Sequence, residues 1–149
     1  MSNLVLPKID RSTIKKKEFI LGKLKKFTNA ENILSHQSEI KPYETDGLAA
    51  YKQTPLAVVL PENTEEVSKI LKFCNDENIK IIPRGAGTGL SGGALPLQDA
   101  IMLGLGKFNK ILVENFDFQK IFLKISIFLL KFPKKTQIYF FGSIEKIFF

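Results

Sequence analysis

The chain of 149 residues has one cysteine, one histidine and no tryptophan. A single cysteine, Cys74, excludes an intrachain disulfide framework and favours a reducing compartment. One cysteine and one histidine (His36) are too few to build a metal cluster, so we predict no metal ligand. No stretch reaches the roughly 18 uninterrupted apolar residues of a membrane span, and the N-terminus has no apolar signal-peptide core. These absences favour a cytoplasmic protein without a transmembrane segment.

Positive charge is concentrated near the N-terminus of this chain, whose net charge is +7. Six lysines fall between Lys15 and Lys26. The apolar residues among them recur at helical spacing: Ile20, Leu21, Leu24 and Phe27. One interpretation is a helix that binds an anionic membrane surface or nucleic acid. The other is a solvated helix whose apolar stripe packs on the domain, and we favour it because single basic helices are common.

The first third of the chain gives weaker patterns than the part that follows. Residues 10–35 are predicted to be helical, in two pieces broken near Asn29. Residues 36–55 are predicted to be irregular because prolines and a glycine punctuate them. The periodicity then changes, and residues 56–60 form a continuous apolar run of strand length.

A helix is predicted directly after this strand. Asn63 is placed to act as its N-cap, and Glu66 completes a capping box three residues later. Its buried face is expected to comprise Val67, Ile70, Leu71 and Cys74. A second strand begins at residues 80–82 and runs into Pro83, so this segment is predicted to be a β-α-β unit with parallel strands. Two further short strands are expected, at residues 101–103 and 111–113.

The most unusual segment is residues 84–93, RGAGTGLSGG, which contain five of the ten glycines in the chain. Glycine is costly to order and a turn needs only one or two, so this density indicates a large anion lying against backbone N–H groups. Successive N–H groups form a concave anion nest. Arg84 can offset the charge of a pyrophosphate or lock the loop through its carbonyls. The predicted contacts are Arg84, Gly85, Ala86, Gly87, Thr88, Gly89, Ser91 and Gly92.

Residues 87–92 also match the literal pattern GxGxxG, and Glu114 lies at the right distance for a ribose contact. A Rossmann loop, however, has to open a helix, and Pro96 would break that helix in its second turn. The match is therefore misleading. A P-loop is excluded because no Gly-Lys-Ser/Thr closes the segment. A kinase loop is excluded because the sequence lacks the lysine and aspartate set that should follow it.

The segment from Pro83 to Pro96, PRGAGTGLSGGALP, resembles the FAD pyrophosphate loop of vanillyl-alcohol-oxidase-type flavoproteins. It is most similar to the glycolate oxidase D subunit and D-lactate dehydrogenase branch, which residues 43–51 and 55–67 also resemble. The resemblance covers about residues 30–115. It implies an α+β fold: a partial FAD-binding domain with a β-α-β unit and a glycine-rich pyrophosphate loop. It also implies FAD as cofactor and oxidation of 2-hydroxy acids to 2-oxo acids.

Thr88 distinguishes this chain from some members of that group. Related flavoproteins that bond the flavin covalently carry a histidine at the position of Thr88. The one histidine here, His36, is far away in sequence and is interpreted as an exposed or capping residue. The resemblance therefore implies noncovalent FAD.

The resemblance stops after about Asp117. Residues 118–149 contain no Ala, Val, Asp, Asn or Arg, yet they hold eight of the thirteen phenylalanines. One interpretation is an AT-rich gene that is truncated or read out of frame. The other is an amphipathic tail for a membrane surface or a partner, which we favour less because no clean period runs through the segment. We divide the chain into an N-terminal segment (residues 1–50), a partial FAD-binding domain (51–117) and an atypical tail (118–149).

Taken together, these features predict the N-terminal FAD-binding part of a D-2-hydroxy-acid oxidoreductase. We expect this fragment to be inactive alone because the family's substrate domain, with its acidic and histidine residues, is not recognisable in it. No catalytic residue is nominated. The expected partner is FAD, and the hydroxy acid is expected to bind only to the full-length family member. Oxidase subunits are further expected partners. Nucleic acid is not an expected partner. The alternatives are a non-catalytic nucleotide-binding module and a basic module that binds a membrane surface or nucleic acid. The expected location is the cytoplasm, with a peripheral position at the inner membrane as the other option.

Overall fold

The structure, a computed structural model, describes residues 7–109. Its helices are Arg11–Lys15 (α1), Lys17–Leu24 (α2), Gln37–Ile40 (α3) and Thr64–Asp76 (α4). Its strands are Ile33–Leu34 (β1), Ala57–Val59 (β2), Lys80–Arg84 (β3) and Ala100–Gly104 (β4). Short 3-10 turns occupy Ala30–Asn32 and Lys41–Tyr43. The fold class is α+β, as expected from the sequence.

The four strands form one mixed sheet in the order β1-β2-β4-β3. Strands β2 and β3 both run parallel to β4, and β1 pairs with β2 in the antiparallel sense. The parallel orientation predicted for the β-α-β unit is confirmed. The two strands of that unit are not neighbours, however, because β4 lies between them. Every residue of β4 is buried, which explains why this central strand is a continuous apolar run.

Side chains alternate across this sheet, and each face carries its own apolar cluster. Helices α2 and α4 cover one face, where Val59, Ile101 and Leu103 lie. Ile40 of α3 and Leu97 pack on the other face, where Val58 and Met102 lie. Because both faces are covered, the sequence of the strands shows no polar alternation.

Helix α4 follows the sequence prediction closely. The Asn63 side chain accepts a hydrogen bond of 2.9 Å from the backbone N–H of Glu66, which satisfies one N–H of the first turn. The buried residues of α4 are Val67, Ile70, Leu71, Phe73 and Cys74. Cys74 is fully buried, and loss of hydration raises the pKa of its thiol to about 12. Cys74 is therefore a core residue, as predicted.

The N-terminal third differs from its sequence prediction. The helical segment breaks at Lys16 as well as near Asn29, because α2 ends at Leu24 and Asn29 has an extended backbone before the 3-10 turn. Ile33 and Leu34 form strand β1 instead of helix because they pair with Val59 and Val58. Cross-strand pairing with β2 at the edge of the sheet outweighs a weak local preference for helix.

Residues 36–55 were expected to be irregular, but they begin with the short helix α3. The Glu39 carboxylate accepts hydrogen bonds from the backbone N–H groups of Ser35 and His36. These bonds lower the pKa of Glu39, because they stabilise its ionised form. His36 is exposed and is the N-cap residue of α3, which confirms its interpretation as an exposed or capping residue.

The apolar stripe of the lysine-rich helix is buried in the domain. Ile20, Leu21 and Leu24 of α2 belong to the same core cluster as the buried face of α4. The ring of Phe27 lies 5.7 Å from that of Phe73, measured between centroids. The structure thus confirms the interpretation of this segment as a solvated helix packed on the domain.

Candidate functional site

Residues 85–99 connect β3 to β4, and the glycine-rich loop, residues 84–93, begins at the last residue of β3 and forms the first part of this connection. No helix forms within these residues, which confirms that the GxGxxG pattern does not open a Rossmann helix. The carboxyl ends of the three parallel strands lie at one edge of the sheet, because Val59 pairs with Leu103 and Arg84 with Gly104. The loop therefore leaves the sheet at the edge where open α/β sheets bind their ligands.

Most of the predicted contact residues are exposed to solvent. The exposed ones are Gly85, Ala86, Thr88, Gly89 and Ser91, and Arg84 and Gly87 are half-buried. Gly92 is buried at the far end of the segment. Leu90, at the middle of the loop, has 74% of its surface exposed. The loop thus presents to the outside its backbone, two hydroxyl side chains and the apolar side chains of Ala86 and Leu90.

The backbone N–H groups of the loop are available for a ligand. Within residues 7–109, none of the N–H groups from Gly85 to Gly93 donates a hydrogen bond to another protein group. The first N–H groups after them that do so belong to Ala94 and Leu95. Such a run of unpaired donors, most of them on exposed residues, is what an anion nest requires.

Two glycines of the loop adopt backbone conformations that other residues avoid. Gly87 and Gly92 both have φ of +74°. Gly85 and Gly89 have no such constraint, and a Cβ added at either would meet no protein atom within 4 Å. The backbone conformation therefore explains why Gly87 and Gly92 are glycines. At Gly85 and Gly89 the absence of a side chain leaves open space beside the backbone. That open space fits the close approach of a diphosphate.

Arg84 is tied to a segment distant in sequence rather than to the glycine loop's own carbonyls. Its Nη1 donates a hydrogen bond of 2.7 Å to the backbone carbonyl oxygen of Thr45. Its guanidinium carbon lies 5.6 Å from the centroid of the Tyr43 ring, a cation–π distance. The predicted hydrogen bonds from Arg84 to the loop's own carbonyls are not seen among residues 7–109, and Arg84 instead links the end of β3 to Thr45.

Residues 43–48, which we call the clasp segment, pack against the loop at two further points. The Asp46 carboxylate is buried and accepts hydrogen bonds from the N–H groups of Leu48 (2.9 Å) and Ala94 (3.3 Å). A Cβ built on Gly47 would lie 2.7 Å from the carbonyl oxygen of Thr88. Sequence reasoning noticed that residues 43–51 resemble the flavoprotein branch, but it did not predict that this segment contacts the loop.

A second polar cluster lies at the same edge of the sheet. The Lys107 ammonium donates to Asn32 Oδ1 (2.6 Å) and to Glu62 Oε1 (2.9 Å). The Asn32 amide group donates in turn to Glu62 Oε1 and to the hydroxyl of Thr28. Asn32 is fully buried, so this network satisfies a polar side chain of the core. Sequence reasoning did not identify it.

Metal-binding clusters and membrane-spanning helices are absent from the described part of the chain. Residues 7–109 contain no group of three or more His, Cys, Asp or Glu side chains that could hold a metal ion. No helix among these residues is long and apolar enough to cross a membrane. The strand expected at residues 111–113, the ribose contact considered at Glu114 and the tail at 118–149 lie outside the described residues.

Comparison with known families identifies the class of protein to which this fold and loop belong. Residues 55–122 match the model of the FAD binding domain family. The match includes β2, α4, β3, the glycine loop and β4, and it extends slightly beyond Asp117. This region of the chain is an FAD-binding domain, and its cofactor is FAD.

Two curated proteins show which kinds of FAD-binding protein the chain resembles. The chain is 44% identical over 110 residues to glycolate oxidase subunit GlcD of Escherichia coli strain K12, an alignment covering 74% of this chain and 21% of that protein. It is 34% identical over 88 residues to mitochondrial D-2-hydroxyglutarate dehydrogenase of Arabidopsis thaliana, covering 59% of this chain and 16% of that protein. The chain thus spans about a fifth of the length of these curated relatives.

Solved structures share the fold at lower sequence identity. p-Cresol methylhydroxylase with bound substrate superposes with a TM-score of 0.59 at 22% identity, covering 91% of this chain and 30% of that one. The isoeugenol complex of 4-ethylphenol oxidase from Gulosibacter chungangensis gives 0.59 at 18% identity, covering 93% and 29%. These likenesses show that the chain has part of the fold of such proteins.

Proposed function

We propose that residues 84–93 hold the diphosphate of FAD without a covalent bond, and that the chain is the FAD-binding part of a D-2-hydroxy-acid oxidoreductase. The observation that carries this proposal is the run of N–H groups from Gly85 to Gly93 that are unpaired within residues 7–109, six of which belong to exposed residues. It lies at the sheet edge where the carboxyl ends of the parallel strands meet. The domain match supplies the identity of the ligand.

A diphosphate suits this loop for electrostatic reasons. Each N–H donor carries a partial positive charge, and hydrogen bonds to an ionised oxygen are about twice as strong as neutral ones. No helix begins in the loop, so the donors themselves rather than a helix dipole supply the attraction. The exposed hydroxyls of Thr88 and Ser91 add two further donors beside the backbone.

The noncovalent attachment rests on the side chains available. Thr88 has a hydroxyl where covalently flavinylated relatives have an imidazole, and a hydroxyl is a far weaker nucleophile at neutral pH. His36 caps helix α3 and is not part of the glycine loop. In residues 84–93 no side chain is a histidine, cysteine or tyrosine.

The relatives support the oxidoreductase activity that we propose. Bound FAD supplies an acceptor for the hydride equivalent released when a hydroxy acid becomes an oxo acid. The relatives include a glycolate oxidase subunit and a D-2-hydroxyglutarate dehydrogenase, which favours a D-2-hydroxy acid such as glycolate or D-lactate as substrate. The residues described here bind and orient the cofactor. We assign recognition of the hydroxy acid to the remainder of a longer protein, together with any further oxidase subunits.

The proposal is tested by titrating FAD into the purified chain and following flavin fluorescence. We expect weak but saturable binding. Gly89→Ala should weaken it about tenfold, equal to about 1.4 kcal/mol, because the new methyl group enters the space of the ligand. It should leave folding unchanged, since that Cβ meets no protein atom within 4 Å.

Gly106→Ala is the matched control, because its Cβ also meets no protein atom within 4 Å and it lies outside the loop. This variant should bind FAD as the unaltered chain does. Equal affinity in Gly89→Ala and the unaltered chain would show that FAD does not lie against the loop.

A further inference from the structure

Gly47 of the clasp segment lies against two peptide groups at the centre of the glycine loop, those that contain the carbonyls of Thr88 and Gly89. A Cβ built on it would lie 2.7 Å from the carbonyl oxygen of Thr88 and 2.8 Å from that of Gly89. Both distances are shorter than a real Cβ contact, and both neighbours are backbone atoms that cannot swing aside as a side chain can. Only glycine allows the clasp segment to approach the loop so closely.

This approach restrains two peptide groups of the loop. The carbonyl oxygens of Thr88 and Gly89 both lie against Gly47, and each carbonyl shares a rigid, planar peptide group with the N–H of the next residue. The same contact therefore holds the N–H groups of Gly89 and Leu90, and both of these residues are exposed.

Asp46 holds the same arrangement from the other end of the loop. Its Oδ1 accepts from the N–H of Leu48 and its Oδ2 from the N–H of Ala94, 48 residues away in sequence. The carboxylate is 5% exposed, and hydrogen bonds to a buried charge are strong. One side chain thus fixes both the turn that carries Gly47 and the residue that follows the glycine run.

We propose that the clasp segment, through Asp46 and Gly47, is a positioning element that preorganises the N–H groups of Gly89 and Leu90 as the central donors to the diphosphate. This inference rests on the proposed function. Neither residue touches the ligand. Both act by removing the conformational freedom that a loop so rich in glycine would otherwise have to lose on binding.

The test combines backbone dynamics with FAD affinity in the full chain. Amide 15N relaxation without FAD should give order parameters of about 0.8 for Gly89 and Leu90, as for rigid backbone. In Asp46→Asn, one of the two oxygen acceptors becomes an amide nitrogen, and in Gly47→Ala the added Cβ pushes the loop away. Both variants should lower those order parameters toward about 0.6 and weaken FAD binding about tenfold.

Internal and external controls separate positioning from general destabilisation. The amides of β4 should keep their order parameters in both variants, and Gly106→Ala should leave loop and affinity unchanged. If Gly47→Ala does not fold, the loop order parameters and FAD affinity of Asp46→Asn decide the test of the clasp proposal. Unchanged loop order parameters in the variants, or a loop already mobile in the unaltered chain, would overturn the clasp proposal.

The outcomes also distinguish the clasp from the proposed function. In one outcome the loop is rigid and the variants loosen it, while its amides do not respond to FAD in the unaltered chain. That result supports the clasp proposal and refutes the diphosphate site. A loop that binds FAD equally well in all variants refutes the clasp and leaves the site intact.

Discussion

The guanidinium of Arg84 donates a hydrogen bond of 2.7 Å to the carbonyl oxygen of Thr45, 39 residues earlier in the chain. Arg84 is the last residue of β3, so this bond fixes the point at which the glycine loop leaves the sheet. Gly87 lies against the same guanidinium. The positive side chain at the start of the loop is therefore a structural lock between the loop and the clasp segment.

Replacing Arg84 by lysine should destabilise the chain without FAD. Lysine keeps the charge, but it cannot reproduce the planar fork that both reaches Thr45 and stacks on Tyr43. We expect the free energy of unfolding in urea to fall by about 1–2 kcal/mol. If Arg84→Lys instead keeps its stability and loses only FAD affinity, Arg84 is a phosphate ligand rather than a lock.

Gly87→Ala and Gly85→Ala form a matched pair within the loop. At Gly87 the φ of +74° disfavours any side chain, and the new Cβ would lie 2.7 Å from Arg84 Nε. This variant should lose at least about 1–2 kcal/mol of stability. At Gly85 the Cβ has open space, so that variant should unfold as the unaltered chain does. Equal stability of the two variants would contradict the backbone assignment of the loop.

The thiol of Cys74 should be unreactive in the folded chain. Burial raises its pKa to about 12 from an ordinary value of 9.0, because the thiolate loses its hydration in the core. A disulfide reagent at pH 8 should label it only as fast as the protein unfolds. Rapid, complete labelling of the native chain would place Cys74 at the surface.

The raised pKa of Cys74 makes the folded state less stable as the pH becomes alkaline. The folded state keeps the proton that the unfolded state releases, so the contribution of Cys74 is complete below pH 9. It is lost as the pH rises from about 9 toward 12. Cys74→Ala should therefore show a shallower loss of stability in this alkaline range than the unaltered chain.

The purified chain should oxidise neither glycolate nor D-lactate, even with excess FAD. It spans about a fifth of the length of the curated relatives. Asp46, the buried carboxylate beside the loop, already accepts two backbone hydrogen bonds and is not exposed to a substrate. Reduction of a dye acceptor by either acid at a rate above that of free FAD would contradict this expectation.

The sequence predicts local features of this fold well. Helix α4 is set by its N-cap Asn63 and by an apolar period contained within one segment, and both were recognised. The glycine loop was also recognised, because its composition has no ordinary structural explanation and because Pro96 excludes a Rossmann helix. Each of these conclusions depends on residues that are close together in the chain.

Non-local pairing explains what the sequence did not reveal. Strand β4 inserts between β2 and β3, although nothing in residues 100–104 specifies its neighbours. The two residues of β1 become a strand only because β2 offers them an edge. Gly47 and Asp46 likewise contact a loop about 40 residues downstream, and a lone glycine or aspartate carries no sign of such a partner.

The central claim is that FAD binds against the glycine loop, and amide chemical shifts during an FAD titration test it most directly. The account predicts the largest shifts at residues 85–93, led by Gly89 and Leu90, with smaller changes in the clasp segment. Shifts confined to the lysine-rich residues 15–26, and lost as salt is added, would identify a basic surface instead and contradict the account.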